Sequence, residues 1–230
     1  MNEWIKLPSV TGEEVSISDD SGLIAFASID QDMESENPLD SNDGLGMIYS
    51  FSPKHQHSLN LNLHKALVEQ FGDDVIPLSY FEHGNCIWAP LGELNSSPDF
   101  RWDGVCNAGI WVPDQSVLDS YLPAIYAIAG ENKYNSLPDD EKKSLRHSWM
   151  KEQARSACKT YTQFCNGEVF GHEIVIYKIR KADNGHIFNK KDDYRFDTPV
   201  VEESCYELYG WDYAHCEFQE FIDGLNCTVS

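Results

Sequence analysis

The sequence predicts an α+β fold, with a mixed or antiparallel sheet, a block of two central helices and a C-terminal helix. Short apolar or alternating runs of strand length occur in both halves of the chain, and two long stretches of helical periodicity lie together between residues 114 and 165. Strand and helix patterns do not alternate regularly, as they would in a parallel βαβ sheet.

The first part of the chain is predicted to be rich in strands. Residues 15–18 alternate, residues 23–27 are apolar, and Asp, Ser and Gly between them are typical of a hairpin turn. Residues 46–51 predict a further strand. The intervening stretch, 30–46, holds six carboxylates and no Lys or Arg, so we interpret it as an exposed acidic loop.

The middle of the chain predicts one short helix and three strands. Residues 63–71 repeat an apolar side chain every four positions and end at Gly72, which is typical of a short amphipathic helix. Residues 75–81 and 86–89 predict two strands joined by a tight turn, and residues 108–112 predict a third.

The helical block follows. Asp114 is placed to cap a helix that extends to Ala129, although Pro123 lies inside it. Pro138 opens a longer helix that we expect to run to Cys165.

The last part of the chain returns to strands. Residues 169–180 are the most apolar strand-like run, and Asn184 with Gly185 predicts a tight turn. Residues 204–210 predict another strand, and apolar residues between 218 and 225 mark the final helix. Composition places the domain boundary near residue 58, between an acidic β-rich N-terminal segment (1–58) and an α+β core domain (59–230).

Charge is distributed unevenly along the chain. The formal net charge is −21, yet residues 139–195 hold twelve basic and nine acidic side chains, leaving five basic and twenty-nine acidic elsewhere. Such a chain repels anionic lipid and bare nucleic acid, so we expect no membrane or direct nucleic-acid partner. The basic side chains Lys151, Arg155 and Lys159, spaced by four on the long helix, are expected to meet acidic segments of the chain or of a second copy.

The seven cysteines form no Cys-x-x-Cys pair, and the N-terminus has no basic region followed by an apolar one. We therefore expect reduced, mostly buried thiols and a location in the cytoplasm of a host cell. Nucleotide-binding loops, nucleophile elbows and zinc-protease helices are not found, and no cofactor is predicted. His55, His57 and His64 lack fixed metal-binding neighbours in sequence, so a polar loop is the preferred interpretation over a metal site.

A catalytic alternative centres on His83 and Asp103, which lie among aromatic residues. A His beside an Asp is suited to acid–base work, and Cys106 or Cys86 could act as a nucleophile with it. The other interpretation is that His83 is a structural histidine in the core or at a turn. We prefer this interpretation, because the sequence alone gives no distances between these side chains.

Four sequence blocks, 77–84, 102–112, 161–171 and 204–210, occur in the order seen in a group of uncharacterised accessory proteins encoded by phages and plasmids, which this chain resembles. The last block departs from that group's pattern, with Glu207 and Leu208 where a Gly-Phe pair is common. The resemblance implies a mobile-element origin and a conditional role, and it implies no catalytic residues.

These observations predict an inhibitor of a host defence system, of the anti-restriction or anti-CRISPR type. An acidic surface that imitates DNA would bind a basic DNA-handling host protein or complex stoichiometrically. A small enzyme and a self-assembling scaffold, including a homodimer, remain as alternatives. The candidate partner-binding carboxylates are Asp30, Asp32, Glu34, Glu36, Asp40, Asp43, Glu202, Glu203, Glu207, Asp212, Glu217 and Glu220.

Overall fold

The computed structural model describes residues 8, 14–18, 22–40, 44–95, 99–195 and 197–228, with 14–18 and 225–228 described by their backbone alone. In this part of the chain the fold is α+β, with two antiparallel four-stranded sheets. The strands are β1 (Glu14–Ser18), β2 (Leu23–Gln31), β3 (Met47–Ser50), β4 (Ile76–His83), β5 (Asn85–Pro90), β6 (Gly104–Val112), β7 (Val169–Lys178) and β8 (Val201–Tyr209). The helices are α1 (Leu61–Phe71), α2 (Phe100–Asp103), α3 (Gln115–Ala129), α4 (Glu131–Asn135), α5 (Asp139–Cys165) and α6 (Trp211–Thr228).

The chain divides into two compact units. The first unit comprises Met1–Glu36 and Gly167–Ser230, and the second comprises Asn37–Asn166. The boundary predicted near residue 58 therefore falls inside the second unit. Strand pairing explains this division, because β2 pairs with β7 from the far end of the sequence, whereas β3 pairs with β6.

The sheet of the first unit has the order β1-β2-β7-β8. Both faces of β2 and β7 are covered, which is why their sequences are continuously apolar rather than alternating. On one face, Phe218 and Ile222 of α6 pack against Ala25, Ile29 and Ile174. On the other face, buried Tyr194 packs against Phe26, Val175 and Tyr177, so the charged stretch after residue 190 contributes this one aromatic side chain to the core.

The sheet of the second unit has the order β3-β6-β4-β5. Helix α5 covers one face, with Met150, Ala154 and Ala157 fully buried against the strands. Small alanine side chains let the helix approach the sheet closely, and Trp88 and Trp111 fill the remaining volume. Residues of α1 cover part of the opposite face, where Leu67 and Phe71 pack around Ile110 and Val112.

Side chains of α5 cover the free edge of β5. The backbone N–H of Trp88 donates to the Thr162 hydroxyl at 2.9 Å. The Asn166 carboxamide accepts from the Cys86 N–H at 2.9 Å and donates to the Cys86 carbonyl at 3.0 Å, in the manner of another strand. These bonds satisfy groups that an exposed sheet edge would leave unpaired.

Most predicted elements are confirmed. The first hairpin and the long helix α5 are present, the strands are antiparallel, and Asp114 caps α3 by accepting the Val117 N–H at 2.8 Å. Gly72 follows α1 with φ of 54°, as its predicted C-cap role requires.

Two expectations are wrong. The acidic stretch 30–46 is not a single exposed loop, because Asp30 belongs to β2 and Leu39 is buried in the core of the second unit. Among the cysteines that the structure describes with side chains, Cys158 alone is buried.

No helix in the described ranges is long and apolar enough to span a lipid bilayer.

Candidate functional site

The first unit carries most of the net charge. The sequences of its two ranges hold 22 Asp and Glu against 7 Lys and Arg, a balance of −15, whereas the second unit holds 16 against 10, a balance of −6. Of the twelve predicted carboxylates, ten lie in the first unit. Asp40 belongs to the second unit, and Asp43 lies outside the described residues.

Nine of these carboxylates are exposed side chains of the first unit and are called the acidic set below. Among the described residues, no member of this set forms an ion pair with Lys or Arg. The ion pairs described in the first unit instead join Arg180 to Asp197 and Lys191 to Glu173. The acidic set consists of Asp30, Glu34, Glu36, Glu202, Glu203, Glu207, Asp212, Glu217 and Glu220.

Strand β8 places three of these carboxylates on the edge of the sheet. Residues 202–207 are all exposed, because β8 pairs with β7 on one side alone. Glu203 lies opposite Ile174 and shares the face that α6 covers, whereas Glu202 lies opposite Val175 on the other face. The carboxylates of Glu202 and Glu203 therefore lie on opposite faces of this edge strand rather than together on one face of the sheet.

Helix α6 carries four carboxylates and no Lys or Arg. Its apolar side chains Ala214, Phe218 and Ile222 face the sheet, which leaves Asp212, Glu217, Glu220 and Asp223 exposed. From Asp212 to Asp223 the helix rises about 16 Å, so its four carboxylates are spaced by roughly 5.5 Å on average along the helix axis. One strand of DNA carries a charge every ~3.4 Å. The helix alone has about 60% of that density, and the carboxylates of β8 are needed to approach it.

Asp32 is half-buried and has a structural role. Its Oδ1 accepts the Glu34 N–H at 3.1 Å and its Oδ2 accepts the Glu207 N–H at 3.2 Å. Glu207 lies at an irregularity in the β7–β8 pairing and has φ of 60°, a left-handed conformation uncommon for a side chain of its type. The Asp32 carboxylate thus holds the chain after β2 against the bulge of β8.

An open groove of about 750 Å³ lies beside this contact, lined by residues 31–35 and by Tyr206 and Glu207. Two apolar side chains are exposed there, Met33 at 80% and Tyr206 at 59%. An exposed aromatic next to unpaired carboxylates is a combination common at protein–protein interfaces.

The structure confirms that His83 and Asp103 form a pair. It does not confirm either candidate nucleophile, Cys106 or Cys86, as a partner of that pair. The His83 Nδ1 and Asp103 Oδ2 atoms are 3.0 Å apart at the tip of the β4–β5 hairpin, and the His83 side chain is 77% exposed. In the described part of the chain, neither Cys106 nor Cys86 is hydrogen bonded to this pair, so the geometry does not assemble the catalytic alternative.

The three histidines considered as metal ligands also have separate partners. His55 Nδ1 lies 2.7 Å from the buried Ser50 hydroxyl, and His57 Nε2 lies 3.4 Å from the Asp40 carboxylate. The ring of His64 packs edge-on against Phe51. Within the described ranges, no group of three or more His, Cys, Asp or Glu side chains could hold a metal ion.

Two of the three basic side chains predicted on this face of α5 pair with a carboxylate of the second unit. Glu93 binds Arg155 bidentately, at 2.7 and 2.9 Å, and lies 3.1 Å from Lys151. Lys159 is exposed and takes part in none of the described ion pairs. Nearer the start of α5, Arg146 binds Asp74 bidentately in a groove of about 620 Å³. These carboxylates neutralise three of the cations on α5.

The sequence analysis missed a contact between two thiols. Cys86 of β5 and Cys165 at the end of α5 are brought together because the Asn166 carboxamide binds both the N–H and the carbonyl of Cys86. Each of the two thiols shifts the pKa of the other. The two cysteines are 79 positions apart and lie in different kinds of element, so no spacing motif signals their contact.

The chain matches no protein-family model, no curated protein sequence and no solved structure.

Proposed function

We propose that this chain is an accessory protein of a mobile genetic element that inhibits a host defence system. In this proposal it binds stoichiometrically, through the acidic set of the first unit, to the basic DNA-binding surface of a host protein. The observation that carries the proposal is the set of nine exposed carboxylates in the first unit without a Lys or Arg partner in the described ranges. The mobile-element setting rests on the sequence resemblance alone.

Physical reasoning favours a cationic partner. Unpaired carboxylates at this density repel one another and lower the stability of the unit that carries them. A basic groove would relieve that repulsion, and long-range attraction would speed encounter while weakening as salt increases. The exposed Met33 and Tyr206 would add apolar contact area at the same place.

The test combines protein capture with competition by DNA. The full chain is immobilised and exposed to a bacterial lysate at low salt, and captured proteins are identified by mass spectrometry. We expect the captured proteins to include DNA-handling proteins. Both an added DNA duplex and 0.5 M salt should release them, because the chain and DNA would compete for the same basic groove. Capture of no such protein, or capture that the duplex does not reduce, would refute DNA mimicry.

Matched amide variants locate the surface. The variant Glu202→Gln/Glu203→Gln/Asp212→Asn/Glu220→Gln neutralises four members of the acidic set, none of which makes a described hydrogen bond. The control Glu69→Gln/Glu131→Gln/Asp140→Asn/Glu141→Gln neutralises four exposed carboxylates of the second unit. We expect the first variant to lose at least about tenfold in partner affinity, and the control to lose much less. Equal losses would show that net charge alone drives binding.

A cellular assay tests the defence role. Expression of the chain in a restriction-proficient bacterium should raise the plating efficiency of unmodified phage, and the first-unit amide variant should not. If capture succeeds and plating is unchanged in hosts carrying the captured system, the chain binds its partner without inhibiting defence.

A further inference from the structure

We propose that Cys86 and Cys165 form a redox-reactive dithiol that closes to an intramolecular disulfide when it meets a small-molecule disulfide. The site lies wholly within the second unit, where the edge strand β5 meets the last turn of α5. The inference does not depend on the proposed function.

Backbone anchoring keeps the two cysteines together. Asn166, the residue after Cys165, holds the backbone of Cys86 through two hydrogen bonds of 2.9 and 3.0 Å. The hydroxyl of Thr162, one turn earlier in α5, accepts the backbone N–H of Trp88 at 2.9 Å, and Trp88 lies two residues after Cys86 in β5. The end of the helix is thus fastened to the strand next to Cys86, which keeps the two thiols close to each other.

The surroundings of the two sulfur atoms differ. The Cys86 thiol and the Tyr161 hydroxyl both donate to Cys165, which lowers the pKa of Cys165 although partial burial opposes this. The same hydrogen bond to Cys165, together with burial, raises the pKa of Cys86. Cys165 is also the more exposed of the two. Cys165 is therefore the attacking thiolate, and Cys86 is the resolving thiol.

The reaction with glutathione disulfide proceeds in two balanced steps. The Cys165 thiolate attacks one sulfur of glutathione disulfide, so the glutathione S–S bond breaks and one glutathione thiolate leaves. With Cys165 no longer charged, the Cys86 thiol releases its proton to that leaving thiolate and attacks the Cys165 sulfur. The second glutathione leaves, and two electrons have passed from the dithiol to the small disulfide.

The other described cysteines provide contrasts. Cys158 is 1% exposed, so a small disulfide has no route to it. Cys106, Cys205 and Cys216 are exposed, and none of these three is hydrogen bonded to another described thiol. They should therefore form only mixed disulfides with glutathione.

The test uses the full chain treated with glutathione disulfide, followed by alkylation of free thiols and peptide mapping. In the unmodified chain we expect a linked peptide pair containing Cys86 and Cys165, with no glutathione retained on either. Cys86→Ser should trap one glutathione on Cys165, whereas Cys165→Ser should leave Cys86 largely unmodified. Cys106→Ser is the matched control and should form the disulfide as the unmodified chain does.

Reactivity before closure gives a second readout, which does not require the disulfide to form. The lowered pKa of Cys165 increases its thiolate fraction at neutral pH, and lower nucleophilicity cancels this gain only in part. Alkylation at pH 7 should therefore modify Cys165 faster than the exposed Cys106, and Tyr161→Phe should reduce this difference. Circular dichroism of each reduced variant shows whether it remains folded.

Two results would overturn the proposal. One is a Cys86–Cys165 pair that stays reduced while Cys106, Cys205 and Cys216 accept glutathione. The other is a Cys86→Ser variant that remains folded and captures no glutathione on Cys165.

Discussion

The imidazole of His172 lies on the face of β7 that α6 covers, with the ring of Phe218 at 4.4 Å and that of Phe221 at 5.9 Å between centroids. The residue is 7% exposed, and its Nδ1 atom has no hydrogen-bond partner among the described residues. Burial lowers the pKa of His172, and the nearby Glu217 carboxylate opposes this shift. Among the groups that face it, Glu217 of α6 is charged and Cys205 lies opposite on β8.

The lowered pKa of His172 predicts a loss of stability on acidification. As the pH falls below about 6.5, the unfolded chain binds this proton before the folded chain does, so the free energy of unfolding decreases. His172→Leu should remove that part of the decrease, which urea unfolding at pH 7 and pH 5.5 measures. His186→Leu changes an exposed histidine and should keep the pH dependence of the unmodified chain. An unchanged pH dependence in His172→Leu would show that His172 titrates normally.

Asp114 provides a second prediction at the scale of one residue. Its Oδ1 atom caps α3 and its Oδ2 atom accepts the Gly46 N–H at 3.1 Å, so one carboxylate holds two backbone groups. Asp114→Ala should lower the free energy of unfolding by about 1–2 kcal/mol, measured by urea denaturation. Asp119→Ala on the exposed surface of α3 should cost less than about 0.5 kcal/mol. Equal costs for the two would contradict the capping role.

At the scale of elements, the ends of helix α5 were the easiest to predict from the sequence. The residues that α5 contacts were the hardest to predict. Pro138 and the acidic first turn mark its start, and Asn166 with Gly167 marks its end. The sequence also indicated that its basic side chains would find acidic partners. Which partner each would find depended on the path of the chain, since Glu93 lies 62 positions from Arg155.

The Glu93 contacts predict a pH-dependent contribution of α5 to stability. Hydrogen bonding by Arg155 lowers the pKa of Glu93, with a smaller opposing effect of burial. The contribution is therefore present above the unfolded pKa of about 4.3 and is lost as the pH falls through the lower folded value. Glu93→Gln should cost about 0.5–1 kcal/mol at pH 7, because both partners are partly exposed, and progressively less below pH 4.

Glu152→Gln is the matched control for Glu93→Gln. Glu152 also pairs with Arg155, but its side chain is 63% exposed. Its substitution should change the unfolding free energy by no more than about 0.3 kcal/mol. A larger effect than that of Glu93→Gln would show that the exposed contact is the stabilising one.

At the scale of the whole molecule, the two units differ in how the chain builds them. The second unit is one continuous stretch, Asn37–Asn166, whereas the first is assembled from both ends of the sequence. A continuous unit with its own apolar core needs no distant segment to complete its sheet.

This difference predicts that a fragment of residues 37–166 folds by itself. We expect a single cooperative urea transition and tryptophan fluorescence that shifts on unfolding, because Trp88 and Trp111 are buried in its core. A fragment of residues 59–230, which begins at the boundary drawn from composition, lacks β2 and β3. It should bind a hydrophobic dye and unfold without cooperativity. The reverse pattern would contradict the division into units.

By itself, the sequence determined the order of the main strands and helices and the α+β class, because periodicity, turn residues and caps act over short distances, although the short helices α2 and α4 were not predicted. It also determined the charge imbalance. The tertiary structure decided what depends on distant pairing: the division of 30–46 between two units, the structural role of Asp32, the exposed edge of β8, and the contact of Cys86 with Cys165. Local patterns specify which face of an element is apolar, but which other element covers it is set by packing across the whole chain.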